Sequence, residues 1–283
     1  MLIQYNAKLF LKLINALFNW MRKMNPKRKI YDCFIVYNEV DLLELRLEIL
    51  YPDVDVFVII EATETFSGYP KSPFFECNLD RFKRFQEKIR YILIDDLPDT
   101  PNAWIREAWQ RNAMMRGLND VQPDDIIIFS DVDEIPRISK IINHDFQDNI
   151  WELEQNFYYY KINLHCGLSR AAFVIQAQNL ILTPQEMRQL PRKPRIVDAG
   201  WHFSYLFSPE GIQNKIKAFS HQEYNKEEFT NIDHIKKMVE ERKDLFGRDS
   251  SKMYIQNDYI SYPDHIKNNL EAYSHLFFDF KNF

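Results

Sequence analysis

The chain has 283 residues, 46% hydrophobic and 27% charged, with only six glycines. That composition suits a globular protein with a sizeable core. Neither G-x-G-x-x-G nor G-x-x-x-x-G-K-[ST] occurs, which excludes the common glycine-rich phosphate loops. The net charge of −5 is uneven: residues 1–29 carry seven bases and no acid, leaving −12 on the remainder, a body ill suited to nucleic acid.

Between Leu2 and Met21, residues Leu9, Phe10, Leu13, Ile14, Leu17 and Phe18 recur at helical spacing opposite Lys8, Lys12, Asn15 and Asn19. This predicts an amphipathic helix within residues 1–30, too short and too charged to span a bilayer. With the bases at 22–29 it suits peripheral contact with an anionic membrane surface; packing on the body or a partner is the plainer alternative. Cys33, Cys77 and Cys166 lack metal-like spacing and read as reduced, buried thiols of a cytoplasmic protein.

From residue 31 onward apolar runs alternate with helical patterns. Strands are predicted at Asp32–Tyr37, Val54–Ile60, Ile89–Ile94 and Ile126–Phe129, with helices at Leu42–Leu50, Leu79–Lys88 and Ala103–Leu118 and a loop over Ala62–Cys77. Such alternation implies an α/β fold with a mostly parallel central sheet. Past Pro136 extended aromatic-rich strands are predicted at Ile150–Asn163, Ala171–Leu182 and Ile196–Leu206, and helices at Glu210–Ser220, Ile232–Phe246 and Asp264–Phe277. No linker interrupts residues 31–283, which read as one domain with a donor half (31–136) and an acceptor half (137–283).

Ligands of open α/β sheets bind beyond the carboxyl ends of the strands. Asp131 and Asp133 directly follow the central apolar run Ile126–Phe129, and in extended chain two such carboxylates point the same way. Oxygen pairs of this kind suit Mg²⁺ or Mn²⁺. A D-x-D alone is a weak signal; the preceding strand and the following Glu134-Ile135-Pro136 strengthen it.

Tyr31-Asp32-Cys33-Phe34, Asn38-Glu39-Val40-Asp41-Leu42-Leu43-Glu44, Ile60-Glu61-Ala62-Thr63 with Gly68, Pro70 and Lys71, Asp131–Pro136, Gly200-Trp201-His202-Phe203-Ser204 and Pro209–Ile212 with Lys215 occur in that order. Together they resemble glycosyltransferase family 17, over roughly residues 31–280. The resemblance implies a GT-A-like fold, a divalent cation (Mn²⁺ or Mg²⁺), and inverting transfer of N-acetylglucosamine from UDP-GlcNAc to an oligosaccharide or glycoconjugate acceptor. In that setting Asn38, Glu39, Glu61, Arg111, Asp131 and Lys215 are the donor-binding candidates, and Asp131, Asp133 and His202 the metal ligands. Each has a plainer alternative: a helix-start charge for Glu39, an i,i+4 ion pair of Arg111 with Glu107, a core histidine for His202, a solvated helix face for Lys215. Inversion needs a carboxylate base, for which Glu223 is preferred over Asp198. The run Phe157–Tyr160 reads first as strand packing and second as a platform for acceptor sugars. A transferase with another nucleotide-sugar donor, a metal-dependent phosphoryl-transfer enzyme and a non-catalytic glycan-binding relative are the competing functions.

Overall fold

The computed structural model describes residues 28–146, 149–191, 193–257 and 261–280. The amphipathic segment expected in residues 1–30 therefore lies almost wholly outside the described residues. No described helix is long and apolar enough to cross a membrane.

A seven-stranded sheet forms the first layer. It contains β1 (Ile30–Val36), β2 (Val56–Ala62), β3 (Ile89–Ile94), β4 (Ile126–Asp131), β6 (Trp151–Leu153), β9 (Phe173–Gln176) and β10 (Arg195–Ile196), in the order β10-β6-β9-β4-β1-β2-β3. Only β9 runs against the others, so the sheet is mostly parallel, as the alternating pattern predicts. Every residue of β1 is buried, the condition of a strand covered on both faces, which explains its near-continuous apolar sequence. Helix α1 (Val40–Leu50) returns over one face and buries Leu42, Leu43, Leu45, Leu47 and Leu50. The opposite face packs Tyr31, Cys33, Val58, Ile60 and Ile127 against Met114 and Leu118, beyond helix α2 (Ala103–Asn112). The helix expected to reach Leu118 tightens to a 3-10 turn over Ala113–Gly117. There the backbone passes so near Val58 that a β-carbon on Gly117 would lie 2.2 Å from its Cγ1.

A second, five-stranded sheet has the order β12-β8-β7-β11-β5, from β5 (Glu134–Pro136), β7 (Gln155–Tyr159), β8 (Leu164–Ser169), β11 (Gly200–Ser204) and β12 (Tyr254–Ile255). Helices α4 (Pro209–Ala218) and α5 (Ile232–Glu240) cover it through Ile212, Ile216 and Ile235, which meet Tyr159, Tyr160 and Leu164. The stretch Ile150–Asn163 is thus two strands in two different sheets, broken at Glu154, because the aromatic pattern runs through the crossing without a turn residue. The helix α3 (Pro184–Gln189), unanticipated above, opens on a capping box in which Thr183 and Glu186 bond each other's backbone N–H. The helix predicted to run to Phe246 stops at Glu240, followed by Arg242 at φ 55°. The one over Asp264–Phe277 shortens to Asp264–Asn268 and a 3-10 turn at Ser274–Leu276. The helix expected over Leu79–Lys88 likewise splits at Phe82 into an α-turn and a 3-10 segment. Of the cysteines, Cys33 is buried as expected, while Cys77 is exposed and Cys166 half-buried; all three are free.

The two sheets meet at one turn. Asp131 is the last residue of β4 in the first sheet, and Glu134 is the first of β5 in the second.

Candidate active site

A cavity of about 550 Å³ opens beyond the carboxyl ends of β1 and β4, between the two sheets. Its floor is the turn Asp131-Val132-Asp133-Glu134, and a residue remote in sequence fixes the shape of that turn. Arg46 of α1 is fully buried. Its Nε and Nη2 bond both oxygens of Asp32 at 2.9 and 2.6 Å, and Nη2 also donates to Ser130 Oγ at 2.6 Å. Nη1 donates to the carbonyls of Asp131, Val132 and Glu134 at 3.0, 3.1 and 3.0 Å. A guanidinium offers five donors in a rigid plane, so one side chain satisfies a whole turn that leaves regular structure inside the protein.

The turn also separates the aspartates, which the extended-chain reading placed side by side. Asp131 Oδ1 accepts from Arg111 Nη2 at 3.1 Å, and Oδ2 from Arg188 Nη2 of α3 at 3.2 Å. Arg111 is held in turn by Glu107 Oε1 and Gln185 Oε1, each at 2.6 Å. Arg188 reaches toward Glu134 at 3.5 Å. Burial raises the Asp131 carboxyl, but the Arg188 and Arg111 guanidiniums outweigh it and hold the group below the usual carboxylate range. Glu134, also buried, is pushed the other way, Arg188 offsetting only part of that effect.

Asp133 faces different partners. Lys215 Nζ of α4 lies 3.0 Å from its Oδ2, and His202 Nε2 lies 3.7 Å from its Oδ1. The pairing of β5 with β11 explains the histidine: His202 stands opposite Glu134 in the antiparallel register, and Phe203 N donates to Asp133 O at 2.9 Å. That register requires Gly200, which sits at φ +148° where a β-carbon would be 2.2 Å from Ile135 O. Burial opposes the charge on Asp133, yet Lys215 and His202 hold its carboxyl far below the ordinary range. Asp133 in turn raises His202 despite the burial of that ring. Glu39 completes the group, with Oε1 3.4 Å from Lys215 Nζ and Oε2 accepting from the N–H of Tyr37 and Asn38 at 2.8 and 3.0 Å.

Of the residues singled out in the sequence, the cavity wall therefore unites Glu39, Arg111, Asp131, Asp133, His202 and Lys215. Asn38 adjoins the wall without lining it. Glu61 is a correction: it is fully buried behind the wall, where its oxygens take Lys71 Nζ, the N–H of Phe74 and Phe75, and Tyr91 Oη. No lone pair is left over for a ribose; the acid that ends β2 pins the following loop instead. Asp198 is a second correction, since it lies away from the cavity, half exposed and paired with Arg137 at 2.7 Å. Glu223 is exposed and does not line the cavity; its Oε1 is bonded to His221 Nδ1 at 2.7 Å, and His221 and Tyr224 on either side of it do line the cavity. Among the acids of the wall, Glu64 is the one with no hydrogen-bond or ion-pair partner among the described residues. Of the aromatic run, Phe157 and Tyr159 line the cavity while Tyr158 and Tyr160 pack into the interior.

Among the described residues no three Asp, Glu, His or Cys side chains form a ready-made metal cage. Asp133 and His202 nonetheless fit as a pair. Two donors each about 2.1 Å from one cation stand roughly 3.0–4.2 Å apart, depending on the angle between them, and the 3.7 Å separation falls within that span. Small divalent cations commonly take one or two protein ligands and complete their shell with water and substrate phosphates. Asp131 does not join this pair in the geometry seen, because each of its oxygens is held by a guanidinium.

A human protein named beta-1,4-mannosyl-glycoprotein 4-beta-N-acetylglucosaminyltransferase is 24% identical over 227 residues, which are 67% of this chain and 43% of that protein. The rat protein of the same name is 23% identical over the same length. The matched stretch thus spans less than half of these relatives. Among solved structures, the galactosyltransferase LgtC, in complex with donor and acceptor sugar analogues, overlaps 53% of this chain and 58% of its own at 14% identity and a TM-score of 0.33. A mycobacterial protein overlaps 47% of this chain and 42% of its own at 15% identity and a TM-score of 0.27. The model of glycosyltransferase family 17 matches residues 3–274, nearly the whole chain, and the protein belongs to that family.

Proposed function

We propose that this glycosyltransferase moves N-acetylglucosamine from UDP-GlcNAc to a glycan hydroxyl with inversion, assisted by Mn²⁺ or Mg²⁺. The observation that carries the reading is the convergence of Asp133, His202 and Lys215 on one point of a cavity beyond parallel strand ends, the usual seat of a nucleotide in such sheets. The names of the human and rat relatives suggest the sugar and the acceptor class.

In this reading Asp133 and His202 would hold the cation, whose charge would stabilise the diphosphate as a leaving group. Lys215 binds the same diphosphate, and Glu39, Arg111 and Asp131 line the path of the nucleoside and sugar. The acceptor oxygen bonds to the anomeric carbon as the bond from that carbon to the β-phosphate oxygen breaks, and its electron pair departs with UDP. The acceptor's proton passes to a carboxylate. We assign that role first to Glu64, which faces the cavity unpartnered, and second to Glu223, one residue from the lining Tyr224. Phe157, half-buried at the cavity wall, offers ring surface to acceptor sugars. Peripheral membrane contact through residues 1–29 belongs to the same proposal.

The test is UDP release from a panel of UDP-sugars with Mn²⁺ and glycan acceptors. Turnover specific to UDP-GlcNAc, abolished by EDTA and restored by Mn²⁺, is the expected result. Preference for another nucleotide sugar would sink the donor assignment, and undiminished turnover in EDTA the cation. Glu64→Gln and Glu223→Gln distinguish the bases, since loss of the true base lowers kcat by about 10²–10⁴ while leaving UDP affinity intact.

A further inference from the structure

The cations around the two aspartates differ in kind. Asp131 is held by two guanidiniums, planar groups that are themselves tied down, Arg111 by Glu107 and Gln185 and Arg188 by the carbonyl of Ala171 and by Glu134. Asp133 is held by an ammonium at the end of a flexible stem. Among the described residues, the other anionic neighbour of that ammonium is Glu39, at 3.4 Å. Around it stand the rings of Tyr205 and Phe207, with centroids 5.7 and 5.6 Å away. The Lys215 side chain is only 18% exposed, so solvent cannot readily replace a lost counter-ion.

We propose that Lys215 is the resident counter-ion of Asp133 and excludes the divalent cation until a diphosphate arrives to take the ammonium over. The inference rests on the reading of Asp133 and His202 as the cation seat. A cation settling on Asp133 alone repels Lys215 and leaves it with Glu39 only. A cation that comes with a diphosphate gives the same ammonium new oxygen partners. Cation and nucleotide therefore bind with positive coupling, and coupling of this kind is reciprocal.

The experiment measures Mn²⁺ binding to the full chain by the paramagnetic resonance of free Mn²⁺, with and without UDP, corrected for the Mn²⁺–UDP complex. The wild-type protein binds Mn²⁺ weakly by itself and at least about tenfold more tightly with UDP, a coupling of about 1.4 kcal/mol. Lys215→Gln removes the competitor, so it binds Mn²⁺ alone about tenfold more tightly than wild type, and UDP adds little. Lys215→Arg keeps the charge and keeps weak binding. Equal wild-type affinity with and without UDP overturns the proposal, as does a Lys215→Gln protein that binds Mn²⁺ alone no better than wild type. Those failures leave the cation seat standing. Absence of Mn²⁺ binding in every protein, with UDP present, removes the seat itself and this proposal with it.

Discussion

Asp131 and Asp133 leave the same four-residue turn, one ending the first sheet and the other leading into the second, yet their surroundings have little in common. On the Asp131 side, two arginines from separate helices close on one carboxylate and extend through Glu107, Gln185 and Glu134. On the Asp133 side, a lysine and a histidine face the cavity at 3.0 and 3.7 Å. The difference teaches that a D-x-D spacing does not make two equivalent ligands. One aspartate is bound into the framework, and the other is kept exchangeable.

Substitutions at the two positions can break that contrast. On the proposed function the largest effect is expected at Asp133→Asn, where losing the charge at the proposed cation seat lowers kcat by about 10²–10³. Its melting temperature falls less than that of Asp131→Asn, because only one ammonium loses a partner and Glu39 stays 3.4 Å from it. Asp131→Asn weighs mainly on stability. It leaves the buried Arg111 and the partly buried Arg188 each short of a counter-charge, costing about 2–3 kcal/mol after allowance for the partial exposure of Asp131 and Arg188. That corresponds to a fall of roughly 5–10 °C in Tm by calorimetry. The pH dependence should follow. A carboxyl held low in the folded state contributes stability in full above its unfolded value near 3.9, and the contribution disappears as the pH falls through the folded value. The Asp131→Asn protein therefore loses this part of the acid limb of stability. Should Asp133→Asn melt as low as Asp131→Asn, the contrast fails. The smallest effect belongs to Asp198→Asn, which removes only a half-exposed pair with Arg137 worth about 0–1 kcal/mol. Asparagine tolerates the φ of 52° there, and turnover remains within about twofold.

The parallel strands were legible because strands buried on both faces are nearly uninterrupted apolar runs; β3 was placed to the residue. The turn at 131–134 was legible from its neighbours and not from its spacing, since Asp53 and Asp55 repeat the spacing at the start of β2. There Asp55 caps Ile30 N at 3.0 Å, at the far end of the strands from the cavity. Arg188 escaped notice because its partner lies 57 residues away, and pairing across such a separation leaves no local pattern. The helix that delivers it did leave one: Thr183-Pro184-Gln185-Glu186 is a capping box with proline at the first turn. Glu61 misled for a related reason. An acid ending a central strand looks the same in sequence whether its partners come from a ligand or from the next loop.

Arg46 ties the floor of the cavity to the fate of one helix. Three carbonyls of the turn, a serine hydroxyl and a buried aspartate all bond its guanidinium, so all five lose that partner once α1 lifts from the sheet. The turn then loses its largest single set of donors, and its opening to solvent is coupled to that of the helix. Amide protons along 130–134 and along α1 would share a single opening free energy, making two stretches about 85 residues apart in the chain one cooperative unit.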